Sequence, residues 1–153
     1  MNDKKQLRVD PIKNGTVIDH ISAGKALQVA EILNLKQPKK LIMIGINLSS
    51  NKMGKKDIIK IENRKLSKDE VNSIALISPN ATLTIIDDFK VVSKQKITLP
   101  EKIRKHLVCP NPNCVTNIEA VPTKFSVSNH NPVEVRCEYC EKTYRIENVK
   151  FHF

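Results

Sequence analysis

The sequence predicts an α+β protein: a ferredoxin-like β-α-β-β-α-β domain followed by a small all-β domain. Two observations support this prediction. Over the first hundred residues, β-branched strand patterns alternate with two stretches of helical periodicity, and all four cysteines lie beyond residue 108. We therefore place the first domain at residues 1–100 and the second at 101–153, with a linker at 95–106.

The first half of the leading domain is predicted from the periodicity of its apolar residues. Residues 14–21 form a turn and a short β-branched strand, and the apolar spacing from Ala26 to Leu33 is helical, with Pro38 beyond it as a breaker. Residues 41–48 are continuously apolar, which predicts a strand covered on both faces. Helices can cover one face, and a second copy of the chain is a candidate for the other.

The second half of this domain contains a helix whose start is encoded locally. Ser67 is placed as its N-cap, Glu70 completes a capping box, and Leu66 opposite Val71 forms a hydrophobic staple. The helix must end before Pro79. The strands of this half are predicted at 57–63, 82–86 and 90–94, after a loop at 49–56.

The net charge of +10 suggests an anionic partner, and most of the excess lies in the first domain. Residues 1–100 carry 18 Lys and Arg against 10 Asp and Glu, whereas residues 101–153 carry 8 against 6. Most of these lysines are expected to form a solvated surface. No apolar run reaches the roughly 18–20 residues that span a bilayer, and the N-terminus lacks the apolar stretch of a secretory signal. We therefore expect a cytoplasmic protein without membrane contact.

The four cysteines form two close pairs with the spacing of a tetrahedral zinc site. Cys109 and Cys114 frame the first turn, and Cys137 and Cys140 frame the second after 22 intervening residues. Four thiolates close the coordination sphere, so we predict one structural zinc ion per chain. The domain is too small for a self-sufficient core, and metal binding is expected to supply about 10 kcal/mol or more of its folding free energy. Unligated thiols, a redox dithiol and an iron–sulfur cluster are the alternatives.

Two other function classes fit parts of this pattern. Many zinc ribbons bind nucleic acid, but four thiolates and one zinc ion add a charge of about −2, which leaves the second domain near neutrality and favours docking to a protein. A small enzyme acting on phosphate esters would need a nucleophile beside a base, and we recognise no such pair. The nucleic-acid-binding zinc ribbon is the principal alternative to a non-catalytic docking protein.

Candidate anion-binding residues lie on the predicted strands of the first domain. The chain has neither a G-x-G-x-x-G motif nor a P-loop, so phosphates would have to meet side chains. Lys60 and Lys94 lie near strand ends, where two rigidly held cations could bind a triphosphate, and Asp19 could accept from a ribose hydroxyl. His20 fits this site or a buried position equally. Each of these residues alone is more commonly a surface residue.

Stretches along the whole chain resemble the regulatory chain of aspartate carbamoyltransferase, the first committed enzyme of pyrimidine biosynthesis. The matching stretches are VDPIKNGTVIDHI at 9–21, IGINL at 44–48, MGKKDIIKIEN at 53–63, LVCPNPNC at 107–114 and CEYCEK at 137–142. The order of elements and the lengths between them match as well. The resemblance implies a non-catalytic regulatory subunit that binds ATP, CTP and UTP in its first domain. It also implies a homodimer through that domain and attachment to the catalytic chain through the zinc domain.

The same resemblance assigns residues to each site. The implied nucleotide-binding residues are Val9, Asp10, Ile12, Val17, Asp19, His20, Lys60, Thr84, Ile86, Phe89, Val91 and Lys94. The implied contacts with the catalytic chain are Asn111, Asn113, Glu119, Glu141 and Lys142. Thr84 stands where the family has Asn, and Phe89 where it has Tyr, so these two positions bear on discrimination between bases.

Overall fold

The computed structural model describes residues 9–35 and 39–152, so the predicted helix breaker Pro38 lies outside the described residues. The first part contains β1 (Gly15–Ser22), α1 (Ala26–Ile32), β2 (Ile42–Ser50), β3 (Gly54–Glu62), α2 (Lys68–Ile77), β4 (Thr82–Asp87) and β5 (Lys90–Lys96). The second part contains β6 (Lys102–Arg104), β7 (Leu107–Val108), α3 (Val115–Ile118), β8 (Lys124–His130), β9 (Val133–Cys137), β10 (Thr143–Arg145), a 3-10 turn (Ile146–Asn148) and β11 (Lys150–Phe151). The mixed α+β class is as predicted. Among the described residues, every helix is too short or too polar to cross a membrane.

The strands of the first part form one antiparallel sheet in the order β2-β3-β1-β4-β5, so that β2 and β5 are its edges. Both α1 and α2 pack on one face of this sheet. There, Ile18, Ile59 and Leu83 of the sheet are buried in one apolar cluster with Val29 of α1 and Ile74 of α2. Because successive side chains of a strand point to opposite faces, the neighbours of these sheet residues lie on the other side.

The other side of the sheet is a surface that no helix of the described residues covers. Met43, Lys60, Val17, Thr84 and Lys94 lie opposite one another in a row that crosses all five strands. Residues directly opposite in an antiparallel pair share a face. We call the surface marked by this row the helix-free face.

The start of α2 has the predicted capping box. The Ser67 hydroxyl accepts from the N–H of Glu70 at 3.2 Å, and the Glu70 carboxylate accepts from the N–H of Ser67 at 3.0 Å. Leu66 and Val71, the predicted staple, are partly buried against the same core. At the start of α1, in contrast, Lys25 makes no side-chain cap bond.

Two segments predicted as irregular contain strand. The prediction of a loop at 49–56 is wrong, because β2 continues to Ser50 and β3 begins at Gly54, which closes the hairpin with a φ of 75°. The segment 95–106, predicted as a linker, includes the end of β5 and all of β6, which pairs with β8. Both segments are rich in Lys, a residue with weak strand preference, so the strands here depend on pairing with neighbours.

The second part consists of small sheets around a second apolar cluster. The order of its main sheet is β10-β9-β8-β6, and β11 pairs separately with β7. Phe125 and Val135 are fully buried in the cluster, together with three of the four cysteines. The expectation of an all-β domain needs one correction, since the helix α3 begins directly after Cys114.

The two parts of the chain pack against each other through α2. Leu76 is 1% exposed and belongs to the second cluster with Phe125, although its helix neighbour Ile74 belongs to the first. Leu99 and Phe151 pack against both clusters. A single helix therefore takes part in both cores.

A buried carboxylate in β3 joins three segments of the first part. Asp57 is fully buried, and its Oδ2 accepts from the N–H groups of Gly24 and Ala26, each at 3.0 Å, while its Oδ1 accepts from the N–H of Asn47 at 2.8 Å. The bonds to residues 24 and 26 satisfy the start of α1, which has no cap of its own. The strands β1 and β2 on either side of Asp57 both have irregular register beside it.

Replacing Asp57 with Ala is expected to lower the free energy of unfolding by about 3 kcal/mol or more, because three N–H groups, among them the buried one of Ala26, lose a charged acceptor. Urea denaturation of the zinc-loaded chain measures this loss. Glu31→Ala, which removes an exposed carboxylate from α1, is the matched control and should change the value by no more than about 0.5 kcal/mol. Equal stability of both variants would contradict the role given to Asp57.

Candidate metal centre and anion-binding face

The four cysteine sulfurs converge on one point, where all of them lie within 4.8 Å of one another. The Sγ atoms of Cys109 and Cys140 are 3.6 Å apart, and those of Cys114 and Cys137 are 3.8 Å apart. A tetrahedron with Zn–S bonds of about 2.3 Å has sulfurs about 3.8 Å apart. A disulfide would need about 2.05 Å. The sulfur geometry therefore fits a tetrahedral metal ion and excludes disulfide bonds.

Each pair of sulfurs is presented by a turn with its own hydrogen bonds. The side-chain amide of Asn117 donates to the carbonyl oxygens of Cys109 and Asn111, at 2.8 and 2.7 Å, and so braces the first turn. The N–H of Glu141 donates to the carbonyl oxygen of Cys137 at 2.9 Å and closes the second. These local bonds fix the shape of each turn. The fold then brings the two turns together, so that the four sulfurs meet.

Zinc fits this donor set, and its role here is structural. Three of the four sulfur ligands are buried, and burial raises the pKa of the Cys109 thiol to about 12. A divalent cation is needed to keep such a sulfur as a thiolate at pH 7. Since four thiolates complete a tetrahedral sphere, no position remains for water or substrate. The prediction of one structural zinc ion is confirmed.

On the helix-free face, Lys60 holds the preceding chain segment in place. Its side chain is only 9% exposed, and its Nζ donates to the carbonyl oxygens of Val9 at 3.1 Å and Asp10 at 2.9 Å. Ile12 of the same segment packs against Val17 in a small apolar cluster. An ammonium has three N–H donors, so these two bonds leave one that can reach an anion.

A bulge in β1 turns two polar side chains onto one end of this face. His20 has a φ of 56°, and its Nδ1 lies 3.0 Å from the hydroxyl of Thr82. The Nζ of Lys56 lies 2.8 Å from Oδ1 of Asp19. The bulge thus gathers a cation, a carboxylate, an imidazole and a hydroxyl from three neighbouring strands.

The pKa values at this end of the face reflect an excess of positive charge. Burial lowers the pKa of His20, and the charges of Lys56 and Lys94 lower it further, against the opposing effect of Asp19. Burial also lowers the pKa of Lys60. Burial raises the pKa of Asp19, but the hydrogen bond and charge of Lys56 outweigh it, so this pKa lies below its usual value. The electrostatic environment therefore favours an added anion.

The remaining residues predicted for nucleotide binding lie on the same face or at its margin. Ile86 and Val91 are partners across β4 and β5, two residues along from Thr84 on β4. Phe89 lies in the two-residue loop between these strands, where its φ of 63° and the φ of 50° at Asp88 indicate a type I′ turn. The Phe89 side chain is 61% exposed. The structure thus brings all twelve predicted residues to the helix-free face, its covering segment or its hairpin loop.

Three residues of this face escaped the sequence analysis: Lys56, Thr82 and Lys96, the last of which lies opposite Thr82. Lys56 was assigned to a loop because β3 was predicted to begin at 57. Lys56, Ile58 and Lys60 alternate along the sequence and therefore lie on one face of a strand. This alternation is the signal that could have identified Lys56 as a residue of the site.

The residues predicted to contact a catalytic chain lie around the metal centre. Asn111 is half-buried between the first two sulfurs, where its side chain hydrogen-bonds to the sulfur of Cys140 and accepts from the N–H of Asn113 at 3.1 Å. The exposed members of the set are Asn113, Glu119, Glu141 and Lys142. The metal-bound turns therefore present one polar surface from two distant stretches of chain.

A closed thiolate site in one part of the chain and a positively charged sheet face in the other define a binding protein with a structural metal domain. Residues 7–98 match the family described as aspartate carbamoyltransferase regulatory chain, allosteric domain, and residues 101–150 match its metal binding domain. The chain belongs to the family of aspartate carbamoyltransferase regulatory chains, and it is a non-catalytic subunit. The nucleic-acid-binding alternative is not favoured.

Similar proteins of this family occur in several organisms, all described as aspartate carbamoyltransferase regulatory chains. The protein of Pyrococcus abyssi is 51% identical over 146 residues, which cover 94% of this chain and 96% of the relative. That of Methanothermobacter thermautotrophicus is 47% identical over 149 residues, with coverage of 97% and 96%. That of Methanococcus maripaludis is 52% identical over 139 residues, with coverage of 91% and 93%.

The substitution Cys140→Ser is expected to abolish stoichiometric zinc binding, because the tetrahedral site loses a thiolate. Without the metal, residues 101–152 should lose their ordered structure and the chain should no longer bind the catalytic chain. Metal analysis, circular dichroism and gel filtration with the catalytic chain measure these effects. Glu138→Gln changes an exposed residue of the same turn and should retain zinc and binding. An intact complex formed by metal-free chain would refute this expectation.

Proposed function

We propose that this regulatory chain binds ATP, CTP and UTP on the helix-free face and thereby adjusts the activity of its catalytic partner. The observation that carries the proposal is the convergence of Lys60, Lys94, Lys56 and His20, drawn from three strands, at one end of that face. Cations held by a rigid sheet suit a triphosphate, which carries several negative charges in a short length.

The proposed roles follow from the position of each side chain. Lys94 is exposed opposite Thr84 and meets the phosphates together with the remaining donor of Lys60. His20 lies beside them, and Asp19 is an acceptor for a ribose hydroxyl once it shares its ion pair with Lys56. The base lies over the apolar part of the face near Ile86, Val91 and the segment 9–12.

The proposed mechanism is thermodynamic linkage between the nucleotide site and the catalytic partner. Each nucleotide shifts the balance between two states of the assembly only by its difference in affinity for them. A coupling free energy of about 1–3 kcal/mol is typical of such systems. The chain needs no catalytic residue for this role, because the nucleotide is bound and released unchanged.

We infer that the first part is a ferredoxin-like domain within residues 1–100, and that 101–153 form the docking domain. The sheet order β2-β3-β1-β4, with two helices on one face, supports this topology. The residues proposed to touch the catalytic chain are Asn111, Asn113, Glu119, Glu141 and Lys142. The exposed apolar side chain of Ile118, 71% accessible beside Glu119, supports a docking surface there.

The edge strand β2 is the proposed contact between two copies of the chain. Ile44 and Ile46 are 38% and 48% exposed, and Leu41 before the strand is 56% exposed. An exposed apolar edge is a template for pairing with another strand. We therefore propose that both faces of this segment are covered in the dimer. Ile44→Lys is expected to dissociate the dimer, which sedimentation measures.

Calorimetric titration with ATP and CTP tests the nucleotide site. Lys94→Ala is expected to weaken binding by about tenfold to a hundredfold, since a charge-assisted contact is worth about 1.5–3 kcal/mol. Nucleotide binding should also raise the pKa of His20, followed by NMR, because a nearby anion favours the imidazolium.

Lys90→Ala is the matched control, because it removes the same charge from β5 on the opposite face of the sheet, where Lys90 pairs with Asp87. Its affinity for nucleotide should stay close to that of the unmodified chain. If the unmodified chain binds no nucleotide, either alone or assembled with the catalytic chain, the proposal is wrong. Equal losses of nucleotide affinity in Lys94→Ala and Lys90→Ala would mean that nucleotides are attracted only by the general positive charge of the chain.

A further inference from the structure

A cleft of about 260 Å³ lies between the start of α2 and the strand β6, where the two parts of the chain meet. Its polar lining comprises Lys68, Asp69, Asn72 and Ser73 of α2, Lys102 and Arg104 of β6, and His106. We call this the α2–β6 cleft. Sites that enclose whole drug-sized ligands measure roughly 300–1,000 Å³, so this volume suits a small ion better than a nucleotide.

Positive charge prevails in the cleft. Three fixed cations, Lys68, Lys102 and Arg104, face the single carboxylate of Asp69. Lys102 also lies 3.6 Å from Glu138, but its side chain is 63% exposed, so solvent screens this pair. The lining therefore retains an excess of positive charge that internal ion pairs leave uncompensated.

The cations without a side-chain partner among the described residues come from both elements that line the cleft. Within residues 9–35 and 39–152, the side chains of Lys68 and Arg104 form neither a hydrogen bond nor an ion pair. Arg104 of β6 lies directly opposite Lys124 of β8, and like charges in such a pair repel. An anion in the cleft would relieve this repulsion and give both Lys68 and Arg104 an acceptor.

The α2–β6 cleft is separate from the proposed nucleotide site. The helix α2 packs on the face of the first sheet that carries Ile59 and Leu83, whereas Lys60 and Lys94 lie on the helix-free face. The five-stranded sheet thus stands between the two groups of cations. A ligand in the cleft therefore cannot be the triphosphate held by Lys60 and Lys94.

We propose that the α2–β6 cleft binds a small polyvalent oxyanion of the phosphate or pyrophosphate class. Lys68 holds it from the first part of the chain, and Arg104 and Lys102 hold it from the second. Arg104 offers a planar fork of N–H donors that matches the oxygens of a phosphate. Because the cations come from both parts, the bound anion stabilises the packing between them and raises the midpoint of thermal unfolding.

The test is a titration of the zinc-loaded full chain with pyrophosphate, followed by NMR of the backbone amides, at an ionic strength held constant with chloride. Shifts are expected at residues 68–73 and 102–106. Arg104→Ala and Lys68→Ala should each weaken this binding about tenfold, as for loss of one charge-assisted contact. Lys150→Ala removes an exposed cation outside the cleft and should leave it unchanged. A parallel titration with inorganic phosphate shows which oxyanion binds more tightly.

Three outcomes would overturn the proposal. Shifts confined to the surroundings of Lys60 and Lys94 would mean that pyrophosphate binds only on the helix-free face. Equal weakening by Lys150→Ala would indicate nonspecific attraction by the net charge. Absence of binding, combined with weaker assembly of Arg104→Ala with the catalytic chain, would show that the cleft receives a protein side chain instead.

Discussion

The carboxylate of Asp57 is the constraint on which the geometry of the helix-free face depends. It accepts hydrogen bonds from N–H groups at residues 24, 26 and 47, which belong to the loop before α1 and to the irregular part of β2. A charge buried so completely is tolerated because those donors replace its hydration. These bonds hold the loop after β1 and the irregular part of β2 next to the bulge at which Asp19 and His20 approach Lys56 and Thr82. A residue outside the proposed ligand contacts thus supports the chain segments that flank the ligand-binding side chains.

The metal centre plays the corresponding role in the second part, by a different physical means. About fifty residues with Phe125 as the largest fully buried side chain enclose little apolar surface, and a core of that size is marginal by itself. Zinc–thiolate bonds join two turns that are far apart in sequence and supply folding free energy that the apolar cluster lacks. The first part needs no such support, because Ile18, Ile59, Leu83 and the residues of both helices form a larger continuous core.

Features that depend on neighbouring residues in the sequence were predictable, and those that depend on distant partners were not. The capping box of Ser67 and Glu70 and the pairing of cysteines within each turn are local, so their patterns are sufficient. Asp57 binds N–H groups 10 to 33 positions away, and nothing in the stretch DIIKIEN marks it as more than a polar residue at a strand start. Lys56 and β6 were missed for a related reason, because a lysine-rich strand is stabilised by the strand beside it. The burial of Lys60 likewise results from carbonyl oxygens fifty positions away.

The structure also indicates how an effect on the helix-free face could reach the metal domain. Ser22 ends β1, two residues after His20, and its N–H donates to the hydroxyl of Ser78 at 2.9 Å. Ser78 caps the end of α2, and Leu76 in the last turn of this helix is buried in the apolar cluster of the metal domain. One hydrogen bond and one buried side chain thus form a contiguous path from β1 to the second core. Allosteric coupling of about 1–3 kcal/mol is comparable to the net contribution of one such bond together with part of a leucine contact. Because close-packed cores shift between discrete arrangements rather than deform gradually, contacts of this size are of the right magnitude to link the two parts of the chain.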